Sequence, residues 1–316
     1  MIPGIPAIKT LGHYAGTIFS VLLLTLGTSQ AEPQQETTAG PGDTLGTKLA
    51  LSSTFQGNSG LDRGGEVSIL RNLVTFGLEK RLGPSLKSDF SFTYRHSRFH
   101  FDQPAAFDGN APWETIHEAG FGALFDWQIE KTWSLMTLTS VEFSGEEGAV
   151  LKDTASVSLG VALSKQFNRT LSIGVGFAAS SGLEEEKVIP MLVLFWQVSE
   201  NWRLSNPFRP GPTSPAGLEL SRNFDKRIEL ALGTSYRSQR FRLGERGAAA
   251  NGIGESSDFL SYLRFSGNIS GVTSIDLYTG LLWDGELTLE NEDGQELYEV
   301  GYDPAPMLAL TLKHRF

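Results

Sequence analysis

Apolar and polar residues alternate with a period of two along almost the whole chain past residue 46. Leu159, Val161 and Leu163 alternate with Gly160, Ala162 and Ser164, and residues 171–178 repeat the pattern. Because successive side chains of a strand point to opposite faces, each such segment has one apolar face and one face of small or polar residues. The alternation predicts an all-β protein.

Two all-β architectures would use this alternation in opposite ways. A soluble sandwich turns its apolar faces inward, whereas a membrane barrel turns them outward to lipid. The segments are longer than the mode of about 5–6 residues for soluble strands, and their polar faces are rich in Gly, Ser and Ala. Tryptophans near the segment ends suit an interfacial aromatic girdle of Trp127, Trp133, Trp196 and Trp202. These features predict a transmembrane antiparallel up-and-down β-barrel.

The connections between segments predict fourteen strands. Tight joins such as 83–84 and Lys131 alternate with longer ones such as 102–113, as expected of short periplasmic turns and longer outside loops. The weakest strand is 202–206, which is short and is followed by a proline-rich stretch. If this strand does not span, its partner at 215–225 must leave the wall too. Twelve strands then remain, with 200–226 as a periplasmic or lumenal excursion.

The first part of the chain predicts export. Residues 1–31 carry a single charge, Lys9, and an apolar stretch at 17–26, the pattern of a cleaved signal peptide. We therefore expect a flexible periplasmic segment at 32–46 and an outer-membrane barrel at 47–316. The chain has no cysteine, which excludes disulfides and thiolate metal sites. Its 36 acidic residues against 26 Lys and Arg argue against nucleic acid as a partner.

The end of the chain places Leu308, Leu310, Leu312 and Phe316 on one face. This ending resembles the signal by which Gram-negative outer-membrane barrels are recognised by their assembly machinery. The resemblance implies that Phe316 is an assembly signal, that the barrel-assembly machinery is a partner, and that outer-membrane lipid and lipopolysaccharide surround the protein. The Trp–Arg–Leu segment at 202–204, the proline-rich break after it and the strand at 215–225 make residues 196–316 similar to a group of uncharacterised bacterial outer-membrane barrels, a likeness that implies no particular activity.

Charged residues at the inward positions predict a polar, net acidic lumen. They are Lys87, Asp89, Arg95, Asp126, Glu142, Glu219, Glu229, Arg237, Arg264, Asp276 and Asp284. Such a lumen favours a passive channel or transporter for small solutes. Fourteen strands lie between filled barrels of about eight and open barrels of about 16–18, so the strand count does not decide whether the lumen conducts.

One strand predicts an apolar stripe inside the barrel. Ile189, Met191, Val193 and Phe195 share the inward phase. The stripe could guide a hydrophobic substrate, or it could pack against an inserted segment, either 32–46 or 207–215. The second interpretation is the more common role of such a stripe.

Two further hypotheses come from the loops. His96, His100 and His117 gather at one outer rim, where chemistry on envelope lipid with Ser97 as nucleophile is conceivable, although His96 and His100 have the outward phase. The loops at 243–255 and 288–304 could instead belong to a structural or adhesive surface protein. The sequence predicts no set of catalytic residues, no metal site and no cofactor.

Overall fold

The computed structural model describes residues 45–247 and 249–316, which form one closed antiparallel sheet. The fourteen strands are β1 Gly46–Gly60, β2 Glu66–Arg81, β3 Leu86–Asp102, β4 Thr115–Glu130, β5 Trp133–Glu146, β6 Ala155–Gln166, β7 Leu171–Gly182, β8 Glu185–Gln197, β9 Trp202–Ser205, β10 Gly217–Asn223, β11 Ile228–Arg242, β12 Ile253–Asn268, β13 Thr273–Glu290 and β14, which has two parts, Glu296–Tyr302 and Ala305–Arg315. Two short 3₁₀ helices follow β3 and β5, at Ala105–Phe107 and Leu151–Thr154. Among the described residues, no helix is long and apolar enough to cross a bilayer. The predicted signal peptide and residues 32–44 lie outside the described residues.

Every strand pairs with its neighbours along the chain, and β1 pairs with β14 to close the ring. The two parts of β14 share one register against β13, in which Leu282 opposes Ala305 and Gly285 opposes Tyr302. They are therefore one strand with a break at 303–304. Although β9 has only four residues, it pairs with both β8 and β10. The prediction of fourteen strands is confirmed, and the twelve-strand alternative is wrong.

The two ends of the barrel differ in their connections. At the turn end, the joins after the even-numbered strands have two to four residues, and both Leu45 and Phe316 lie at this end. At the loop end the joins are more varied. The join between β9 and β10, residues 206–216, does not reach the loop end because both strands are short. It folds into the lumen instead and is called the strap below.

The predicted loop 288–304 is mostly strand, so that prediction is wrong. Strand β13 continues to Glu290 and β14 begins at Glu296. Asp284 lies in a bulge with a φ of 52°, and the inward phase changes there from Leu282 to Leu287. A bulge that shifts the phase, together with acidic rather than apolar outward side chains, hides the period of two.

The exterior of the barrel is apolar. Leu159, Val175 and Leu310 are 50%, 66% and 44% exposed, although they lie at the centres of long strands. The small and polar residues between them, including Ala162, Ser164 and Ala178, are buried. A water-soluble sandwich would reverse this arrangement, so the outward faces are suited to lipid.

Placing an arginine on the outward face of β6 should destabilise the barrel. We expect Leu159→Arg to lower the free energy of unfolding by about 2–4 kcal/mol, because the charge would lie near the middle of the bilayer. Leu151→Arg makes the same change at a side chain that is 68% exposed in the 3₁₀ helix beyond the strands. The control should cost less than about 1 kcal/mol. Urea unfolding in lipid vesicles measures both, and equal losses would contradict a lipid-facing Leu159.

Candidate functional site: the barrel lumen

The predicted lumen residues differ in how deeply they are buried. Six are buried, namely Asp89, Arg95, Glu219, Arg237, Arg264 and Asp276. Four are half-buried, namely Lys87, Asp126, Glu142 and Glu229, whereas Asp284 is exposed at the bulge. The period of two does not reveal that bulge.

The most densely charged cluster lies on β10, β11 and β12. The guanidinium of Arg264 donates to both carboxylate oxygens of Glu219, at 2.6 and 3.0 Å, and to Glu229 at 2.7 Å. Arg203 and Arg209 each donate to Glu229 at 3.0 Å. Arg264 is completely buried, and the two carboxylates that it contacts offset the cost of taking its charge out of water.

Two lysines near the turn end complete the lower part of the lumen. Lys313 of β14 contacts the buried Asp276 at 2.7 Å. Lys48 of β1 contacts Glu79 at 2.9 Å and also donates to Asp89. Each of these carboxylates therefore has a cation next to it, as buried carboxylates require.

A second layer of charged residues lies closer to the loop end of the lumen than the residues described above. Arg95 donates to Glu118 at 2.7 Å, and Arg237 makes a two-pronged contact with Asp258 at 2.7 Å for each bond. The amide of Gln239 donates to Glu118 at 3.3 Å and so joins β11 to β4 across the lumen. This layer therefore links opposite walls of the barrel.

The predicted set of lumen residues omits several charged side chains that the structure places there. Lys48, Glu118, Asp258 and Lys313 all lie in the inward phase of their strands, so the period of two could have identified them. Arg209 could not be identified in this way, because it belongs to the strap, which has no periodicity. These five residues comprise three cations and two acids, so they reduce the excess of acids in the predicted set from three to two.

The strap crosses the lumen from the β9–β10 wall toward β13 and β14. A Cβ placed on Gly211 would lie 3.2 Å from Thr311 Oγ1 and 3.4 Å from Tyr278 Oη, so the strap backbone touches the far wall. The strap is held there by side chains: Arg209 contacts Glu229, and Arg237 donates to the carbonyl of Pro212 at 3.3 Å. Between the strap and the charged layer of Arg95 and Arg237, a cavity of only about 40 Å³ remains.

An aromatic core closes much of the loop end. The ring of Trp113 lies 5.1 Å from that of Phe241 on β11 and 5.8 Å from that of Phe99 on β3, between centroids. Strand β11 crosses toward the opposite wall, where Arg242 pairs with Gly145 of β5. Both faces of β11 are consequently buried from residue 236 to its end, except that Arg240 is half-buried. The upper half of β11 divides the lumen.

The predicted apolar stripe lies on the other side of this division, on β8. Ile189, Met191, Val193 and Phe195 are all half-buried. Met191 packs over β6, where its sulfur would lie 3.5 Å from a Cβ placed on Gly160. The first residue of the strap, Asn206, adjoins the stripe, because its side-chain oxygen accepts a hydrogen bond from the backbone N–H of Leu194 at 2.7 Å. The inner faces of β6–β8 are thus more accessible than the aromatic core.

The histidine rim and Ser97 lie on opposite faces of β3. His96 and His117 have ring centroids 5.2 Å apart on the outside, and Tyr94 Oη is 2.8 Å from His117 Nδ1. Ser97 is completely buried and donates to Gln239 at 3.4 Å in the lumen. No Ser–His pair forms here, and the described residues contain no group of three or more candidate metal ligands.

The four girdle tryptophans all lie beside joins at the turn end. Trp127, Trp196 and Trp202 are 49%, 42% and 38% exposed, and Trp133 is half-buried. Arg222 lies over the Trp202 ring and Lys165 over the Trp133 ring. Phe316 is 72% exposed at the same end, and its backbone N–H donates to Thr47. Rings with nearby cations suit a boundary between lipid and water.

A closed barrel with an even number of antiparallel strands, an apolar exterior and a charged interior defines the class: the chain is an outer-membrane β-barrel protein. Within that class it belongs to the family described as "Domain of unknown function (DUF6268)", whose model matches residues 93–313. No curated protein matches the chain.

Solved structures provide three further comparisons. The COG4313 outer membrane channel from Pseudomonas putida F1 is 10% identical, with a TM-score of 0.49, covering 88% of this chain and 97% of that one. The translocator domain of the autotransporter NalP from Neisseria meningitidis is 10% identical, with a TM-score of 0.39 and coverages of 88% and 90%. The toluene transporter TodX of Pseudomonas putida is 8% identical, with a TM-score of 0.34 and coverages of 87% and 90%.

Proposed function

We propose that the protein is a channel for small solutes in the outer membrane of a Gram-negative bacterium, with the strap as its main internal barrier. The observation that carries the proposal is the way the strap is held. Among the described residues, no backbone-to-backbone hydrogen bond joins residues 207–214 to a strand, and Ser214 is linked to the carbonyl of Tyr236 on β11 only through its side-chain hydroxyl. A segment held in a polar lumen by side chains can move without breaking the barrel wall.

The route runs along the inner faces of β6–β8. The aromatic core seals the other side of β11, whereas the apolar stripe and four serines of β6 and β7 remain half-buried, namely Ser156, Ser158, Ser172 and Ser180. Solutes would pass from the turn end, which we place in the periplasm, past the strap to this surface. The mixture of serine and apolar side chains suits small solutes of moderate polarity.

We propose that outer-membrane lipid and lipopolysaccharide contact the apolar exterior, and that the barrel-assembly machinery recognises the last strand through Phe316. The outward side chains Leu308 and Leu310, 60% and 44% exposed, support this role for β14.

Solute flux into proteoliposomes tests the channel proposal. Folded protein should admit small solutes faster than protein-free liposomes do, and a variant without the strap should admit them faster still. If neither protein admits solutes, the channel is rejected and a structural or adhesive surface barrel becomes the better proposal. Heat-modifiable migration on a gel verifies that both proteins are folded.

A further inference from the structure

A basic cavity lies at the turn end, below the strap. Its volume is about 600 Å³, and it is bounded by β1, β9, β14, the strap and the turns at 224–227 and 269–272. Seven Lys and Arg side chains line it, against one acidic residue, Glu79. This excess is unexpected in a chain with a formal charge of −10. We call this cavity the vestibule.

The inner part of the vestibule is lined by cations that carboxylates hold from behind. Arg203 and Arg209 contact Glu229, and Lys313 contacts Asp276. An arginine has five N–H donors and a lysine three, so these contacts leave donors that can reach a ligand in the cavity. The three side chains keep exposed fractions of 14%, 24% and 26%.

The outer part of the vestibule is lined by Lys226 and Arg227 on the β10–β11 turn. Both are exposed, and neither side chain has an ion pair within the described residues. The nearby carboxylate of Asp225 accepts the backbone N–H groups of Arg227 and Ile228 at 2.7 and 2.8 Å. It is therefore engaged by the turn itself.

We infer that the vestibule is a binding site for a small soluble polyanion that carries carboxylate or phosphate groups. The volume lies within the range of about 300–1,000 Å³ that is usual for small-ligand sites. Anchored guanidinium groups at the base and free cations at the mouth can contact several negative groups at once. The inference concerns the lumen of the proposed channel, but binding requires no conduction, so the two proposals can fail separately.

Calorimetric titration of the full-length protein in detergent micelles with pyrophosphate, and separately with citrate, tests the site. We expect saturable binding that weakens as salt is added. The variant Lys226→Gln/Arg227→Gln should bind at least about tenfold more weakly, because it removes two cations without leaving a buried carboxylate unpaired. The matched control is Lys131→Gln/Arg169→Gln, which removes two exposed cations from other joins at the turn end. It should bind within about twofold of the wild type.

Three results would overturn the inference. The first is the absence of saturable binding of either anion, and the second is equal weakening in both variants, which would indicate a general charge effect. The third is a result in nanodiscs that identifies a lipid headgroup, rather than a free anion, as the ligand. Titration in nanodiscs with and without phosphatidylglycerol should give the same affinity for pyrophosphate. Loss of pyrophosphate binding in the anionic nanodiscs would assign the vestibule to lipid instead.

Discussion

Replacing residues 207–215 by a short glycine-rich turn should raise the single-channel conductance of the barrel by at least about tenfold. The strap crosses the lumen and leaves a cavity of only about 40 Å³ beside the upper charged layer. Its removal joins the vestibule to the half-buried inner faces of β6–β8. Conductance depends steeply on the narrowest part of a pore, so opening this constriction should have a large effect.

The strap can be removed without cutting the wall. Strands β9 and β10 are paired from Ser205 opposite Glu219 to the turn end. The side-chain amide of Asn206 also donates to the carbonyl of Gly217 at 2.9 Å. A short turn can therefore join the two strands. Loss of Arg209 leaves Glu229 paired with both Arg203 and Arg264, so no carboxylate of this cluster becomes isolated.

Planar-bilayer recordings measure the effect. Deleting the exposed residues 245–247 shortens the join between β11 and β12 and should leave the conductance at the wild-type level. If the strapless barrel is folded but conducts no better than the wild type, the strap is not the barrier. If the loop-shortened control also conducts more, the increase does not come from the lumen.

The sequence predicted the wall of the barrel better than its contents. In residues 157–164 of β6 and 171–178 of β7, apolar residues alternate with Gly, Ser and Ala without interruption, and the single residue Lys131 is enough to place a turn. Lipid and lumen impose opposite demands on neighbouring positions, so the period of two appears wherever a strand separates them. The parity of the joins could not decide whether the four residues of β9 form a strand, because losing β9 and β10 together also leaves an even number of strands.

The segments that fill the lumen are positioned by long-range contacts, and such contacts leave no periodic pattern in the sequence. The prolines of the strap indicate irregular backbone, but not that it turns inward. In the upper half of β11, the outward positions carry Tyr236, Ser238 and Arg240 rather than aliphatic residues. That departure was a signal that this part of β11 does not face lipid, and the structure shows it packed on both faces.

Replacing Arg264 by methionine should be the most destabilising of the substitutions considered, with a loss of about 3–5 kcal/mol in the free energy of unfolding. The methionine fills similar volume but donates no hydrogen bond. It would leave the buried Glu219 without its nearest cation, since Arg209 Nε is 3.9 Å away. Glu229 would keep Arg203 and Arg209, so the loss should come mainly from Glu219.

A double-mutant cycle in urea unfolding identifies this cause. Glu219→Gln in the Arg264→Met background removes the isolated carboxylate, so the double variant should be more stable than Arg264→Met alone. Arg169→Met replaces an exposed arginine on the β6–β7 turn and should change the stability by less than about 0.5 kcal/mol. If Arg264→Met stays within about 1 kcal/mol of the wild type, or if Glu219→Gln worsens it further, the Arg264 cluster does not hold the wall together. The proposed movement of the strap requires a wall that stays intact when the contacts of Arg209 are lost. Arg264 meets this requirement, because it joins β10, β11 and β12 independently of Arg209.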